Sequence, residues 1–354
     1  MAGREIAERL ARRTLELVDI PSESRREAEI VRYVREALAL DVELATEDVV
    51  FATTSRRELP LVLLAGHVDT VPSQGNLPGR LEEDAVVGLG ASDMKGGIAV
   101  MLELAAWAEA EEPAFDLGFL FFTREELAAQ ESPLPDFLAG SKRAREAQLV
   151  IVLEPTDNAI HAGCLGNVNA RVTFHGRSAH SARPWLGENA IHAAVRALAL
   201  VAEAEPLAVE VDGLTFREIA SVVSIEGGIA ANVVPDRAVA EINYRYASTR
   251  TAAEAEQRLR DLVPAGELEV LSNSPPAPVV VDTPLARRLR EAGRFEVHPK
   301  QAWTPVAQFA EHGLDAINLG PGATRYAHSR DERVEIAELV RTFTALQRFA
   351  ADSV

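Results

Sequence analysis

The stretch "LPLVLLAGHVDTVP" (residues 59–72) carries a short apolar run that leads into a histidine and an aspartate. The run, residues 61–65, is bounded by proline and glycine, and its length and composition are typical of a strand buried on both faces in a parallel sheet. In open α/β sheets the ligand crevice lies beyond the carboxyl ends of such strands. We therefore expect His67 and Asp69 to emerge at a functional site.

Apolar runs of the same kind recur along the chain and alternate with helix-like segments. Strands are predicted at residues 117–122, 149–153 and 316–319, and a helix at 97–111. This alternation predicts an α/β fold with a mixed, mostly parallel sheet. Alternating strands and amphipathic helices between residues 169 and 284 predict a smaller α+β domain, 169–284, inserted into a main domain formed by 1–168 and 285–354.

The composition bounds the class of protein. A chain of 354 residues with 47% hydrophobic content can bury a large core, and its net charge of −18 argues against nucleic-acid or anionic-membrane partners. A single cysteine, Cys164, excludes an internal disulfide and a thiolate-built zinc cluster and is typical of a cytoplasmic protein. The N-terminal segment carries spaced glutamates, unlike a secretion signal or transit peptide, and no apolar run reaches transmembrane length.

Acidic and imidazole side chains follow the other predicted strands or precede the helix. They are Asp93 before the helix, Glu125 and Glu126 after 117–122, Glu154 after 149–153, and His328 after 316–319. Each alone has an ordinary alternative, such as a helix cap for Asp93 or a solvated charge pair for Glu125 and Glu126. Together, such residues can hold two metal ions, and imidazole with carboxylate suits zinc in particular.

The spacing of these residues predicts some of their roles. In a strand, residues 67 and 69 share one face, so Asp69 can accept a hydrogen bond from His67 and fix its tautomer. Glu125 and Glu126 are adjacent and point to opposite sides. One of them can therefore bind a metal while the other takes a proton from water.

The order of these residues resembles the di-zinc aminoacylase and carboxypeptidase family of co-catalytic metallohydrolases, over nearly the whole chain. The resemblance implies a zinc-peptidase-like catalytic domain with an inserted lid and dimerisation domain. It also implies two zinc ions per subunit, with cobalt as an alternative metal. In the implied site, Asp93 bridges the ions, His67 and Glu154 complete one, Glu126 and His328 complete the other, Glu125 is the general base, and Asp69 supports His67.

The resemblance also assigns residues of the inserted domain. His180, in "GRSAHSARPW", would reach across a homodimer interface and stabilise the oxyanion in the neighbouring subunit's site. Asn232 and Arg245 match substrate-binding positions, and Arg183 and Thr304 are further candidates. Without the resemblance, a structural role for His180 and a surface role for Arg183 are the ordinary expectations.

Within the family, residues 153–192 and 211–247 most resemble the actinobacterial branch that removes succinate from N-succinyl-LL-diaminopimelate, a precursor of lysine and peptidoglycan. We therefore expect amide hydrolysis of a small N-acyl amino acid. The chain departs from that branch at Pro305, where an aspartate is usual, and at Arg124, beside the expected base. A deacetylase of N-acetyl-ornithine or N-acetyl-lysine, a dipeptidase, and a catalytically silent relative remain alternatives.

Overall fold

Every apolar run assigned to a strand forms one in the computed structural model, which describes residues 2–54 and 59–351. Within these residues the strands are β1 (Val42–Ala45), β2 (Val49–Thr53), β3 (Leu61–His67), β4 (Arg80–Leu81), β5 (Ala85–Val87), β6 (Asp116–Phe122), β7 (Ala147–Val152), β8 (Ile160–Ala162), β9 (Gly166–His175), β10 (Leu207–Val211), β11 (Leu214–Gly227), β12 (Arg237–Tyr246), β13 (Glu267–Ser274), β14 (Val297–Pro299), β15 (Ala316–Asn318) and β16 (Arg333–Glu335). The α-helices are α1 (Ala2–Asp19), α2 (Ala28–Ala37), α3 (Gly96–Ala110), α4 (Leu134–Gly140), α5 (Ala190–Ala202), α6 (Ala252–Leu262), α7 (Pro284–Gly293), α8 (Val306–Glu311) and α9 (Ile336–Ala351).

The chain divides into two units whose boundaries differ from those predicted. The first comprises the described residues up to Gly163, Val280–His298 and those from Pro305 onward, and the second comprises Cys164–Val279 and Pro299–Thr304. The division falls before residues 169 and 285 because the chain is already paired there. The Ala277 N–H donates to the Cys164 carbonyl at 3.2 Å, so backbone pairing closes the second unit at these residues.

The first unit is built on an eight-stranded mixed sheet in the order β1-β2-β6-β3-β7-β15-β8-β14. The central strands β6, β3, β7 and β15 run parallel, whereas β1, β2 and β8 pair in antiparallel fashion. Every residue of β3 and β6 is buried, as expected of central strands in such a sheet. The predicted α/β class is confirmed, and the carboxyl ends of the four parallel strands share one edge.

Two glycines allow α3 and the turn before it to approach this sheet closely. A Cβ at Gly97 would lie 2.5 Å from the Leu153 carbonyl oxygen, and a Cβ at Gly66 would lie 2.6 Å from the side chain of Met94. At Gly97 the clash is with backbone, so a larger residue would push α3 away from the end of β7, whereas at Gly66 the Met94 side chain would have to move. The glycines therefore fix the start of α3 beside the strand ends. In the described ranges, no helix is long and apolar enough to cross a membrane.

The second unit is a five-stranded antiparallel sheet in the order β10-β11-β12-β9-β13. Alternate residues of β9 and β12 are buried, and they form a core together with residues of α5 and α6. The β10–β11 hairpin turns at Asp212 and Gly213, both with positive φ (47° and 79°), as a type I′ turn requires. On the other face, β9 and β12 carry half-buried polar residues such as Asn169, Arg171 and Asn243.

Candidate active site

The predicted site residues of the first unit meet at the carboxyl edge of the parallel strands. His67 ends β3 and lies level with Phe122 in β6, and the Val68 N–H donates to the Phe122 carbonyl at 2.9 Å. The strand ends are therefore held side by side. Glu125 and Glu126 follow β6, Glu154 follows β7, His328 lies in the loop after β15, and Asp93 lies in the tight turn Ala91–Lys95 before α3.

Asp93 lies between two His–Glu pairs. Its Oδ1 is 3.1 Å from His67 Nε2, and its Oδ2 is 3.4 Å from His328 Nε2. Glu154 Oε1 lies 3.8 Å from His67 Nε2, while the Glu126 carboxylate lies 3.0 Å from His328 Nε2. The arrangement therefore consists of two half-sites that share one carboxylate.

The donor set fits metal ions. One ligand atom from each of His67, Asp93 and Glu126 lies within 4.8 Å of the other two, and the same holds for His67, Glu125 and Glu154. Carboxylates packed this closely repel one another unless protons or cations lie between them. Imidazole nitrogens and carboxylate oxygens are the ligands that zinc and similar divalent cations take in proteins.

The pKa values reflect this concentration of negative charge. Contacts with Asp93 and then Glu126 raise the pKa of His328 to about 11. Burial opposes the charged form of His67, but hydrogen bonds to Asp69 and Asp93 raise its pKa well above the usual value. Burial, and then the charge of Glu154, raise the pKa of the Glu125 carboxyl well above its usual range. All three groups therefore hold a proton more tightly than they would in water.

Asp69 organises more of the site than the sequence predicted. His67 Nδ1 is 3.1 Å from the Asp69 carbonyl oxygen and 3.4 Å from its Oδ1. The Asp69 carboxylate also accepts the backbone N–H groups of Glu125 and Glu126, at 3.0 and 3.2 Å, and the hydroxyl of Ser24 at 2.7 Å. One buried carboxylate thus orients both the imidazole and the glutamate pair.

Glu332 is a site residue that the sequence analysis missed. It is 1% exposed, and its carboxylate accepts the backbone N–H groups of Gly90, Ser92 and Asp93. Burial raises the pKa of Glu332 to about 7, although these N–H groups act in the opposite direction. The only sequence signal is its position four residues after His328, in "HSRDE".

Arg124, beside the expected base, is held by a carboxylate outside the site. Its guanidinium pairs with Asp48 at 2.5 Å, and its backbone has a positive φ of 59°. The positive charge of Arg124 is therefore paired with a carboxylate in the β1–β2 connection, away from the expected base.

Comparison with known proteins identifies the family. Residues 63–352 match the model of the peptidase family M20/M25/M40. The chain belongs to this family. A Mycobacterium tuberculosis protein provisionally named succinyl-diaminopimelate desuccinylase DapE is 40% identical over 95% of this chain and 96% of its own length. The succinyl-diaminopimelate desuccinylase of Corynebacterium glutamicum is 35% identical over 96% of this chain and 95% of its own.

Solved structures have the same M20 fold. Aminopeptidase PepT from Bacillus cereus matches with a TM-score of 0.77 at 20% identity, covering 97% of this chain and 98% of its own. The YXEP protein of Bacillus subtilis, described as a dinuclear metal binding peptidase of the M20 family, matches with a TM-score of 0.70 at 16% identity, covering 98% of each chain. The predicted family is confirmed, and this M20 protein is a hydrolase of a metal-dependent family.

In the second unit of the M20 chain, His180 and Asn232 lie on adjoining loops. The Ser181 N–H donates to the Asn232 carbonyl at 2.9 Å, and His180 pairs with Val233. His180 Nδ1 accepts the Ala182 N–H at 3.0 Å, so the neutral ring carries its hydrogen on Nε2. The imidazole is exposed, with a donor available on Nε2.

Two further predicted residues of the second unit differ in their surroundings. Arg183 is exposed, and its N–H donates to the His180 carbonyl at 2.8 Å. Thr304 is buried, and its carbonyl lies 3.9 Å from the Cys164 thiol. A substrate role for either residue stays a prediction.

Arg245 is half-buried on β12 and is held by a network of amides. Its Nε donates to Asn243 Oδ1 at 2.9 Å, while Asn243 Nδ2 donates to Asn167 and Asn169 at 2.6 and 2.7 Å. Burial lowers the pKa of Arg245. Among the described residues, no carboxylate lies within ion-pair distance of this guanidinium.

Proposed function

We propose that this M20 hydrolase cleaves N-succinyl-LL-2,6-diaminopimelate into succinate and LL-diaminopimelate. The observation that carries the hydrolytic part is the position of Asp93, whose two oxygens face separate His–Glu pairs. The choice of substrate is supported by two relatives that match over nearly their whole length and are named for this reaction.

Two zinc ions are the cofactor in this proposal, with cobalt as an alternative. Asp93 would bridge them, His67 and Glu154 would hold one, and Glu126 and His328 the other. Divalent cations bound there supply a Lewis acid for the scissile carbonyl and lower the pKa of bound water. The imidazole and carboxylate donors suit zinc, and the similar B. subtilis protein is described as dinuclear.

Glu125 would move the proton in this reaction. The Glu125 carboxyl lies in one cluster with His67 and Glu154, whereas the carboxylate of the adjacent residue, Glu126, contacts His328. From this position Glu125 accepts the proton of the attacking water and returns it to the leaving amine. Asp69 would assist indirectly, since its carboxylate accepts the backbone N–H of Glu125 and so fixes the position of that residue.

His180 and Arg245 would bind the reacting molecule from the second unit. The His180 Nε2–H would donate a hydrogen bond to the oxyanion, which is usually the largest stabilising contribution in acyl transfer. Arg245 would bind a substrate carboxylate, because its guanidinium is oriented by Asn243 and lacks a described carboxylate partner. Asn232, Arg183 and Thr304 stay predicted substrate contacts.

Recognition of this substrate has to be local. N-succinyl-diaminopimelate carries three carboxylates and one ammonium group, and the protein has a net charge of −18, so overall charge opposes their encounter. Two divalent cations and one correctly oriented arginine can reverse this repulsion within the site. A site built to bind a charged group also rejects analogues that lack it.

We expect wild-type protein to hydrolyse the succinyl substrate far better than its N-acetyl counterpart. Arg245→Ala should lower kcat/KM for the succinyl substrate by about 10- to 100-fold, since a hydrogen bond to a charged group contributes about 1.5–3 kcal/mol. The acetyl substrate should lose less. Steady-state kinetics of both substrates with both proteins measure this difference.

Arg171→Ala is the matched control. Arg171 lies on the same sheet face but already pairs with Glu241 and Glu269, at 3.1 and 3.6 Å, so its loss should leave the preference unchanged. A wild-type preference for the acetyl substrate would overturn the desuccinylase assignment in favour of a deacetylase. Absence of both metal and hydrolysis would favour a catalytically silent relative.

We also propose that the second unit forms a homodimer. Strand β10 covers β11 only from Leu214 to Glu218, and no described strand pairs with the outer edge beyond Glu218. Val223 and Ile225 on β11, and Leu200 on the adjacent α5, are each more than half exposed. An open apolar edge favours association, and a second copy can extend the sheet.

Mixing two inactive variants tests whether His180 acts across this dimer. In a heterodimer of Glu125→Gln and His180→Ala subunits, one site would contain both Glu125 and His180. We therefore expect mixed, re-assembled dimers to recover part of the wild-type turnover, while each variant re-assembled with itself stays inactive. Mixtures verified as heterodimers that remain inactive would show that His180 does not serve the partner's site.

A further inference from the structure

We infer that Glu332 is a positioning residue for the metal site, which sets the orientation of Asp93 through the backbone around it. The inference rests on the proposed function, because it takes Asp93 as the carboxylate shared by two metal ions. Glu332 itself would bind neither metal nor substrate.

The Glu332 carboxylate contacts the backbone of Asp93 and of residues just before it. Glu332 Oε1 accepts the N–H groups of Ser92 and Asp93 at 3.1 and 2.9 Å, and Oε2 accepts the Gly90 N–H at 2.9 Å. Both carboxylate oxygens are therefore used by the backbone of one turn. Three N–H donors converge on this one carboxylate, which is almost fully buried.

The turn needs such an acceptor because its backbone is not helical at Gly90 or Asp93. Asp93 has φ −122° and ψ 92°, and Gly90 has a positive φ of 77°. Its buried N–H groups thus have to be satisfied from elsewhere, since an unpaired one costs about 1–3 kcal/mol. Glu332 satisfies three of them and so selects this conformation over others.

Glu332 also connects the two halves of the site. It lies in the same segment as His328, and its own carbonyl accepts the Gly88 N–H at 2.9 Å. Gln74 Nε2 donates to the His328 carbonyl at 2.9 Å. The segment from His328 to Glu332 is therefore held at both ends, by Gln74 and by Gly88. The segment that supplies His328 therefore also fixes the carboxylate that His328 faces.

Glu103 provides a control for a merely structural role. It is another buried glutamate of the first unit, 4% exposed, and it pairs with Arg9 and Arg13 at 3.0 and 2.7 Å. It lies within α3, removed in sequence from the turn that carries Asp93. Loss of its carboxylate should lower the free energy of unfolding without changing metal affinity.

Cobalt titration of stripped full-length protein separates these roles, with binding followed by visible absorption and by competition with a chelator. Glu332→Gln should bind at least one cobalt ion about 10- to 100-fold more weakly than wild type, the loss typical of residues that orient metal ligands. Glu103→Gln should match wild type. Glu332→Ala should lose at least as much cobalt affinity. If circular dichroism shows that Glu332→Ala is unfolded, the result for Glu332→Gln decides the test.

Equal cobalt affinities and spectra for wild type and folded Glu332→Gln would overturn the positioning role. Equal losses in Glu332→Gln and Glu103→Gln would also overturn it, since both would then reflect general destabilisation. If wild-type protein itself binds fewer than two cobalt ions, the proposed function fails and takes this inference with it.

Discussion

Glu125→Gln should reduce turnover by at least the roughly 10²- to 10⁴-fold that a lost general base costs, while zinc content stays at the wild-type level. Glutamine keeps the size of the side chain but cannot accept a proton from water. In the proposal Glu125 is not a metal ligand, so the metal site should survive. Steady-state kinetics together with elemental analysis of the purified variant measure both quantities.

Glu126→Gln is the matched comparison, because it changes the adjacent residue in the same way. The Glu126 carboxylate lies 3.0 Å from His328 Nε2, where it is proposed to bind metal, so this variant should lose zinc as well as turnover. If Glu125→Gln kept wild-type turnover, or if the two variants lost zinc equally, the division of roles between these glutamates would be wrong.

Asp93→Ala should lower the zinc content more than any other single substitution. Its two oxygens face different histidines, so the change removes a ligand from both proposed ions and leaves their mutual repulsion less compensated. We expect a loss in affinity beyond the about 10- to 100-fold seen when a residue outside the ligand set is removed. Equilibrium dialysis followed by metal analysis gives the stoichiometry.

Asp116→Ala controls for the loss of a buried aspartate. Asp116 begins β6, is 2% exposed and pairs with Arg143, at the end of the strand opposite to the site. This variant should be less stable but should bind zinc as wild type does. Two tightly held zinc ions in folded Asp93→Ala would rule out the shared carboxylate.

The central strands and most of the first-unit cluster were predictable because the signal is local. The run at 61–65 forms β3, and His67 ends it as expected from the rule for parallel sheets. Neighbouring parallel strands end at the same edge of the sheet, so the sequence alone predicts that Glu125 and Glu154 lie near His67. The apolar run of a buried parallel strand therefore predicts both where the strand lies in the sequence and where the side chain at its end emerges.

Residues that act through tertiary contacts were not predictable in this way. Ser24 and Glu332 reach Asp69 and the Asp93 turn from segments far away in sequence, and nothing in their own neighbourhood specifies that contact. The β10–β11 hairpin was missed for a different reason. Its Asp212–Gly213 pair between alternating apolar residues is a strong local turn signal, and the predicted strands did not include it.

The most direct measurement is the rate of succinate release from N-succinyl-LL-diaminopimelate by metal-stripped protein as zinc is restored, with bound zinc counted in the same samples. The account predicts negligible release without metal, a maximal rate at two zinc ions per chain, and much slower release of acetate from the N-acetyl counterpart. Full activity without zinc, or faster hydrolysis of the acetyl compound, would contradict it.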